Sequence, residues 1–132
     1  MIGIDTNVLI RFLAQDDPVQ SPIANDFMAG LTREAPGFIS AIVLAEVSWV
    51  LSRRYHVGRE ELAGILEALL RTSELRIENA EAGYRALAQF KAAQAGEFAD
   101  ALIAETAALV EATHTVTFDR AAAKSFGMSL LD

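Results

Sequence analysis

Apolar positions along this chain keep two different periods in alternation. Short runs with the length and composition of strands are followed by stretches in which apolar residues return every three or four positions, as on one face of a packed helix. Residues 1–5 read as a first strand, leading into a short helix from about Asn7 to Leu13 that Asp5 or Thr6 caps. Asp16-Asp17-Pro18 breaks the chain, and Ser21-Pro22 supplies a cap and first turn for a second helix to about Gly30. Phe38-Ile39 reads as a brief buried strand. Ser40 then caps a long helix to about His56, with Val43, Val47, Val50 and Leu51 as its core stripe, and Gly58 closes it.

The second half repeats the alternation. Arg59 to Arg71 predicts a helix that buries Leu62, Ile65, Leu66 and Leu69, and Leu75-Arg76-Ile77 alternates as a strand. Glu81 to about Ala95 predicts an alanine-rich helix broken by Gly96. Glu97 to Ala112 predicts a very apolar helix suited to burial. Thr115 to Phe118 is a fourth strand, Ala121 to Ser125 a short helix stopped near Gly127, and Met128 to Leu131 a closing edge strand. This order predicts an α/β fold.

Length and composition narrow the class. The 132 residues hold no linker, repeat or low-complexity segment, so residues 1–132 read as a single domain with a core of its own. Cysteine is absent, which excludes disulfides and thiolate metal sites. Asp5 follows Met1 too closely for a signal peptide, and charges interrupt every apolar stretch before it reaches the length of a membrane span. The expectation is a soluble, cytoplasmic protein. Eleven basic against 18 acidic residues give a formal net charge of −7, the wrong sign for a general nucleic-acid coat protein. That objection weakens if several acids hold a cation, because the ion reverses the field an approaching phosphate meets. The compact Arg53-Arg54-Tyr55-His56 cluster reads first as the solvated end of a helix, where positive charge suits the macrodipole.

Four acids stand at corresponding places. Asp5 and Asp119 directly follow predicted strands, Asp100 lies in the first turn of a helix, and Glu46 is embedded in the apolar run Ala41 to Val47. Strand ends are where α/β folds bind ligands, so Asp5 and Asp119 project toward one crevice that the two helical acids can join. Each acid also has an ordinary reading: Asp5 and Asp119 as helix caps, Asp100 and Glu97 as charges that suit a helix N-terminus. Glu46 has no such excuse, since ionised acids are rarely buried without a partner. Carboxylates gathered in one place require a positive partner, and Mg²⁺ or Mn²⁺ is the hard cation that suits an all-oxygen donor set. Neither His56 nor His114 stands in a motif that would make it a nucleophile or ligand.

Ile4-Asp5-Thr6-Asn7-Val8-Leu9, Leu44-Ala45-Glu46-Val47 followed by Trp49-Val50-Leu51 and Tyr55, Phe98-Ala99-Asp100-Ala101-Leu102-Ile103-Ala104, and Thr117-Phe118-Asp119-Arg120 together resemble the PIN-domain ribonucleases. More narrowly, the set is similar to the VapC toxins of toxin–antitoxin pairs. The resemblance runs through essentially the whole chain. It implies a three-layer α/β/α sandwich with a mostly parallel central sheet, a Mg²⁺- or Mn²⁺-dependent endoribonuclease, a homodimer, and a cognate antitoxin that blocks the acidic pocket. The family's catalytic, metal-binding acids map onto Asp5, Glu46, Asp100 and Asp119, and its supporting polar residues onto Thr6, Asn7 and Thr117. Glu97 stands where relatives often have Asp, which makes it a second-tier ligand.

Two rival readings remain open on the residues alone. Asp5 at a strand end also resembles the nucleophile of an aspartyl phosphatase, though that chemistry usually wants an acid two residues on and this chain has Asn7. A PIN-like binding module without catalysis would keep the fold but has no need of all four acids. No G-x-G-x-x-G or P-loop follows any predicted strand, which removes the common nucleotide-cofactor folds.

Overall fold

The strands prove shorter than the apolar runs that announce them. In the computed structural model, which describes residues 1–132, the chain runs β1 (Ile2–Gly3), α1 (Thr6–Ala14), α2 (Gln20–Ala29), β2 (Gly37–Ile39), α3 (Ala41–Arg53) and α4 (Arg59–Arg71). It continues through β3 (Leu75–Ile77), α5 (Ala80–Ala92), α6 (Phe98–Leu109), β4 (Val116–Thr117), α7 (Arg120–Phe126) and β5 (Ser129–Leu130). Every strand pairing is parallel, which requires a crossover between partners, and helices supply each one. Strands β1, β2 and β3 form one sheet in that order, and β4 pairs with β5 in a second. The fold is therefore α/β with a parallel sheet, divided into two pieces.

Glycine sets the register at the centre of the larger piece. Gly37 of β2 sits opposite Ile2 on one side and Leu75 on the other. A methyl group there would lie 2.5 Å from Ile4 Cδ1 and 3.0 Å from Leu31 Cδ1, so close approach of neighbouring side chains explains the missing one. Around this sheet the most enclosed side chains are Leu9, Ile39, Leu44, Val47, Leu51, Leu66 and Phe98, contributed by α1, β2, α3, α4 and α6.

Several local expectations shift, each for a physical reason. Helix α2 begins at Gln20 rather than at a Ser21 cap, because Asp17 Oδ1 accepts from the backbone N–H groups of Val19 and Gln20. Ser21 is instead buried, its hydroxyl donating to the Arg11 carbonyl at 2.7 Å. The buried stripe of α3 is Leu44, Val47, Ser48 and Leu51, turned away from the expected Val43 and Val50. That helix also ends at Arg53, three residues early, and His56 takes a left-handed conformation beyond it. Helix α6, expected to be buried along its length, encloses only Phe98, Ala101 and Leu102 and leaves Ile103 exposed. Its small residues let it lie close against α5 on one side while the opposite side stays open to solvent.

Candidate active site

Each candidate acid is placed by local structure before any tertiary contact acts on it. Asp5 lies two residues beyond β1 and caps α1, its Oδ1 accepting from Thr6 N–H at 2.7 Å. Asp119 follows β4 in the same way and caps α7, with Oδ1 accepting from Ala122 N–H at 3.0 Å. Thr117 fixes the approach to that cap, because its hydroxyl accepts from Asp119 N–H at 2.9 Å. Asp100 occupies the first turn of α6, and Glu97 stands at its N-cap position without a side-chain capping bond. The ordinary capping role and a chemical role coexist, since a capping carboxylate uses one oxygen and leaves the other free.

Tertiary packing then divides the acids into two groups. Helices α1 and α3 pack together, and the Thr6 hydroxyl donates to Glu46 Oε1 at 2.7 Å, which ties Glu46 to the residue after Asp5. On the other side Asp100 faces Asp119 and Glu97. Burial, followed by the negative charges of Asp119 and Glu97, pushes the Asp100 carboxyl above its ordinary range, while Arg53 pulls it partly back. No three acids close into a ready-made cage for an ion. Asn7 lies with Asp5 along an open groove of about 790 Å³ whose floor is Ile2, Ile4, Val8 and Phe27.

Two expectations about individual acids change. Glu46 is exposed, on the outward face of α3 with Ile42 and Trp49, so its place in an apolar segment does not bury it. Glu97 is engaged by a cation: Arg53 Nε and Nη2 both donate to its Oε1, at 3.1 and 2.8 Å. Sequence reasoning missed that pairing because 44 residues separate the partners. It also missed Arg59, which reaches from the start of α4 to the carbonyls of Phe90, Ala93 and Gly96 beside the segment that carries Glu97. No local signal marks an arginine for such a role.

The donor set fits a hard divalent cation in chemistry though not as a closed cage. All candidate donors are oxygens, and Mg²⁺ commonly keeps several waters while binding through one or two carboxylates. Burial, and then the charges of Asp119 and Glu97, oppose ionisation of Asp100, and a cation beside it would favour the charged form.

Fold and site together define an α/β protein in which Asp5 and Asp119 follow the C-terminal ends of parallel strands and cap the next helices. The chain belongs to the PIN domain family, whose profile matches residues 2–125. PIN domains are typically nucleases, and they generally use divalent metals. No curated protein matches the chain. Among solved structures it is similar to a chain of the crystal structure of FitAcB from Neisseria gonorrhoeae, at 17% identity over 100% of this chain and 97% of that one, with a TM-score of 0.39. No helix is long and apolar enough to cross a membrane.

Proposed function

We propose that this protein is a Mg²⁺- or Mn²⁺-dependent endoribonuclease that acts as the toxin of a toxin–antitoxin pair in the cytoplasm. The observation that carries the reading is that, in a PIN domain, Thr6 links Asp5 to Glu46 by hydrogen bonds to both, while Asp100 lies half-buried within reach of the charges of Asp119 and Glu97. Asp5, Glu46, Asp100 and Asp119 would hold the ion, with Thr6, Asn7 and Thr117 orienting them and Glu97 in a secondary place. A divalent cation held there supplies water activation and neutralises charge growing on the phosphate. The chain's own contribution is placement. Asp5 and Asp119 are fixed as caps, the Thr6 hydroxyl orients Glu46, and Asp100 is held half-buried on the first turn of α6.

Metal dependence is the direct test. Purified protein should cut RNA with Mg²⁺ or Mn²⁺ and fall silent in EDTA, and full activity in EDTA would overturn the proposal. The antitoxin part has a separate test. A pocket of carboxylates is a target for a basic side chain from a partner, which pairs bidentately and competes with the ion. Expression of the chain alone should slow growth, and the adjacent small gene should restore growth and copurify. Of the apolar side chains around Phe27, Leu31 and Trp49 that such a partner's tail could cover, Leu31 is buried, which leaves Phe27 and Trp49. Sedimentation of the purified chain tests the homodimer.

A further inference from the structure

Helix α3 carries an outward stripe at helical spacing: Ile42, Glu46, Trp49 and Arg53. A lone tryptophan normally places most of its area in the core, yet Trp49 is 43% exposed while Leu44, Val47 and Leu51 take the interior. Its ring is faced by the Arg53 guanidinium at 5.0 Å. Arg53 is itself 54% exposed and donates two of its hydrogens to a single oxygen of Glu97. The positive charge of Arg53 also favours the ionised form of Asp100. An aromatic face and a guanidinium, side by side at the edge of a carboxylate cluster, present the two contacts that single-stranded nucleic acid uses: base stacking and phosphate pairing.

We propose that Trp49 and Arg53 form a nucleotide subsite beside the acidic cluster, in which the indole stacks on an unpaired base and the guanidinium exchanges Glu97 for the adjoining phosphate. This deepens the ribonuclease reading and rests on it. Seven residues of helix separate Glu46 from Arg53, about 10 Å along the axis, so Arg53 serves a flanking phosphate rather than the one hydrolysed. Charge selects RNA as the occupant of this subsite, because the group an exposed guanidinium attracts is an anion and the phosphate of a stacked nucleotide supplies one. The Arg53–Glu97 pair then has a second use, since it holds the guanidinium in position while no RNA is bound and lies open to solvent for exchange.

Trp49 is the only tryptophan of the chain, so its emission reports on this place alone. The full chain carrying Asp5→Asn, which on the proposed mechanism binds without cutting, is titrated in Mg²⁺ with a short unstructured oligoribonucleotide bearing a fluorescent end label. Saturable quenching of Trp49 is expected, at the same affinity that label anisotropy gives. Trp49→Ala should weaken binding about 5- to 100-fold, with Trp49→Phe recovering part of the loss. Arg53→Gln should lower the salt slope of binding by about 1. In the otherwise wild-type enzyme both changes should raise KM more than they lower kcat, with far-UV circular dichroism confirming the fold. RNA that binds without quenching, and with affinity and salt slope unchanged in the variants, overturns the subsite while leaving the ribonuclease reading in place. Quenching by a copurifying protein but not by RNA also overturns it. Quenching by RNA that wild-type protein never cuts supports the subsite and removes the nuclease reading instead.

Discussion

Arg59 ties the segment before Asp100 to the body of the fold, and its removal gives the most quantitative forecast. Its guanidinium lies 4.0 Å over the Phe90 ring and donates to the carbonyls of Phe90 at 2.9 Å, Ala93 at 3.3 Å and Gly96. The Phe90 carbonyl belongs to the last turn of α5, where carbonyls lack partners within the helix, and the other two belong to the loop that follows. Burial holds the Arg59 pKa below its ordinary value, so the charge is partly desolvated and those bonds are strengthened. Arg59→Met keeps the stem and removes all three bonds. At about 1 kcal/mol each for a partly exposed charged donor, with a further ~0.5 kcal/mol for the ring contact, the loss is about 3.5 kcal/mol. In a chain of this size that lowers Tm by about 13 °C. Urea denaturation followed by circular dichroism should show a lower midpoint with unchanged slope. Arg59→Lys should recover at most about a third, because an ammonium cannot span three carbonyls. A loss under about 1 kcal/mol for Arg59→Met, or full recovery with Lys, would refute the reasoning.

Three further outcomes follow from the site and the core. Asp5→Asn, Glu46→Gln and Asp119→Asn should each reduce cleavage about 100-fold or more with the fold intact, because Asn still caps α1 and α7. Glu97→Gln should be milder, since that side chain is already engaged by Arg53; wild-type rates for Asp5→Asn would displace the site. Asp100 has a folded pKa raised by burial and by Asp119 and Glu97, so its stabilising contribution is complete below the unfolded value of 3.8 and lost as pH rises through the folded one. Asp100→Asn should accordingly raise Tm in EDTA at pH 7, with the gain fading as pH falls toward that value, and a lower Tm at pH 7 would contradict the charge argument. Gly37→Ala should cost about 1–3 kcal/mol by crowding Ile4, Leu31 and Leu75, a cost that thermal unfolding measures directly.

The order of helices and strands was legible in the chain because periodicity and caps are local. Ser40 accepts from Val43 N–H as expected, Asp5 and Asp119 cap the helices they precede, and Gly37 to Ile39 forms the strand expected at Phe38-Ile39. The four-part motif was legible too, since it consists of residue types in order, and the match of the PIN family over residues 2–125 bears out that resemblance. What the sequence left open was the rotation of each helix about its axis. A phase error of one residue turned the buried stripe of α3 from Val43 toward Leu44, and the same helix carries Glu46 out to solvent. Tertiary structure alone decided that Arg53 takes Glu97, that Arg59 closes the end of α5, and that β4 pairs with β5 apart from the other three strands. Such contacts join residues 13 to 44 positions apart. Their geometry depends on how whole elements settle against a shared core, and a local pattern carries no record of that.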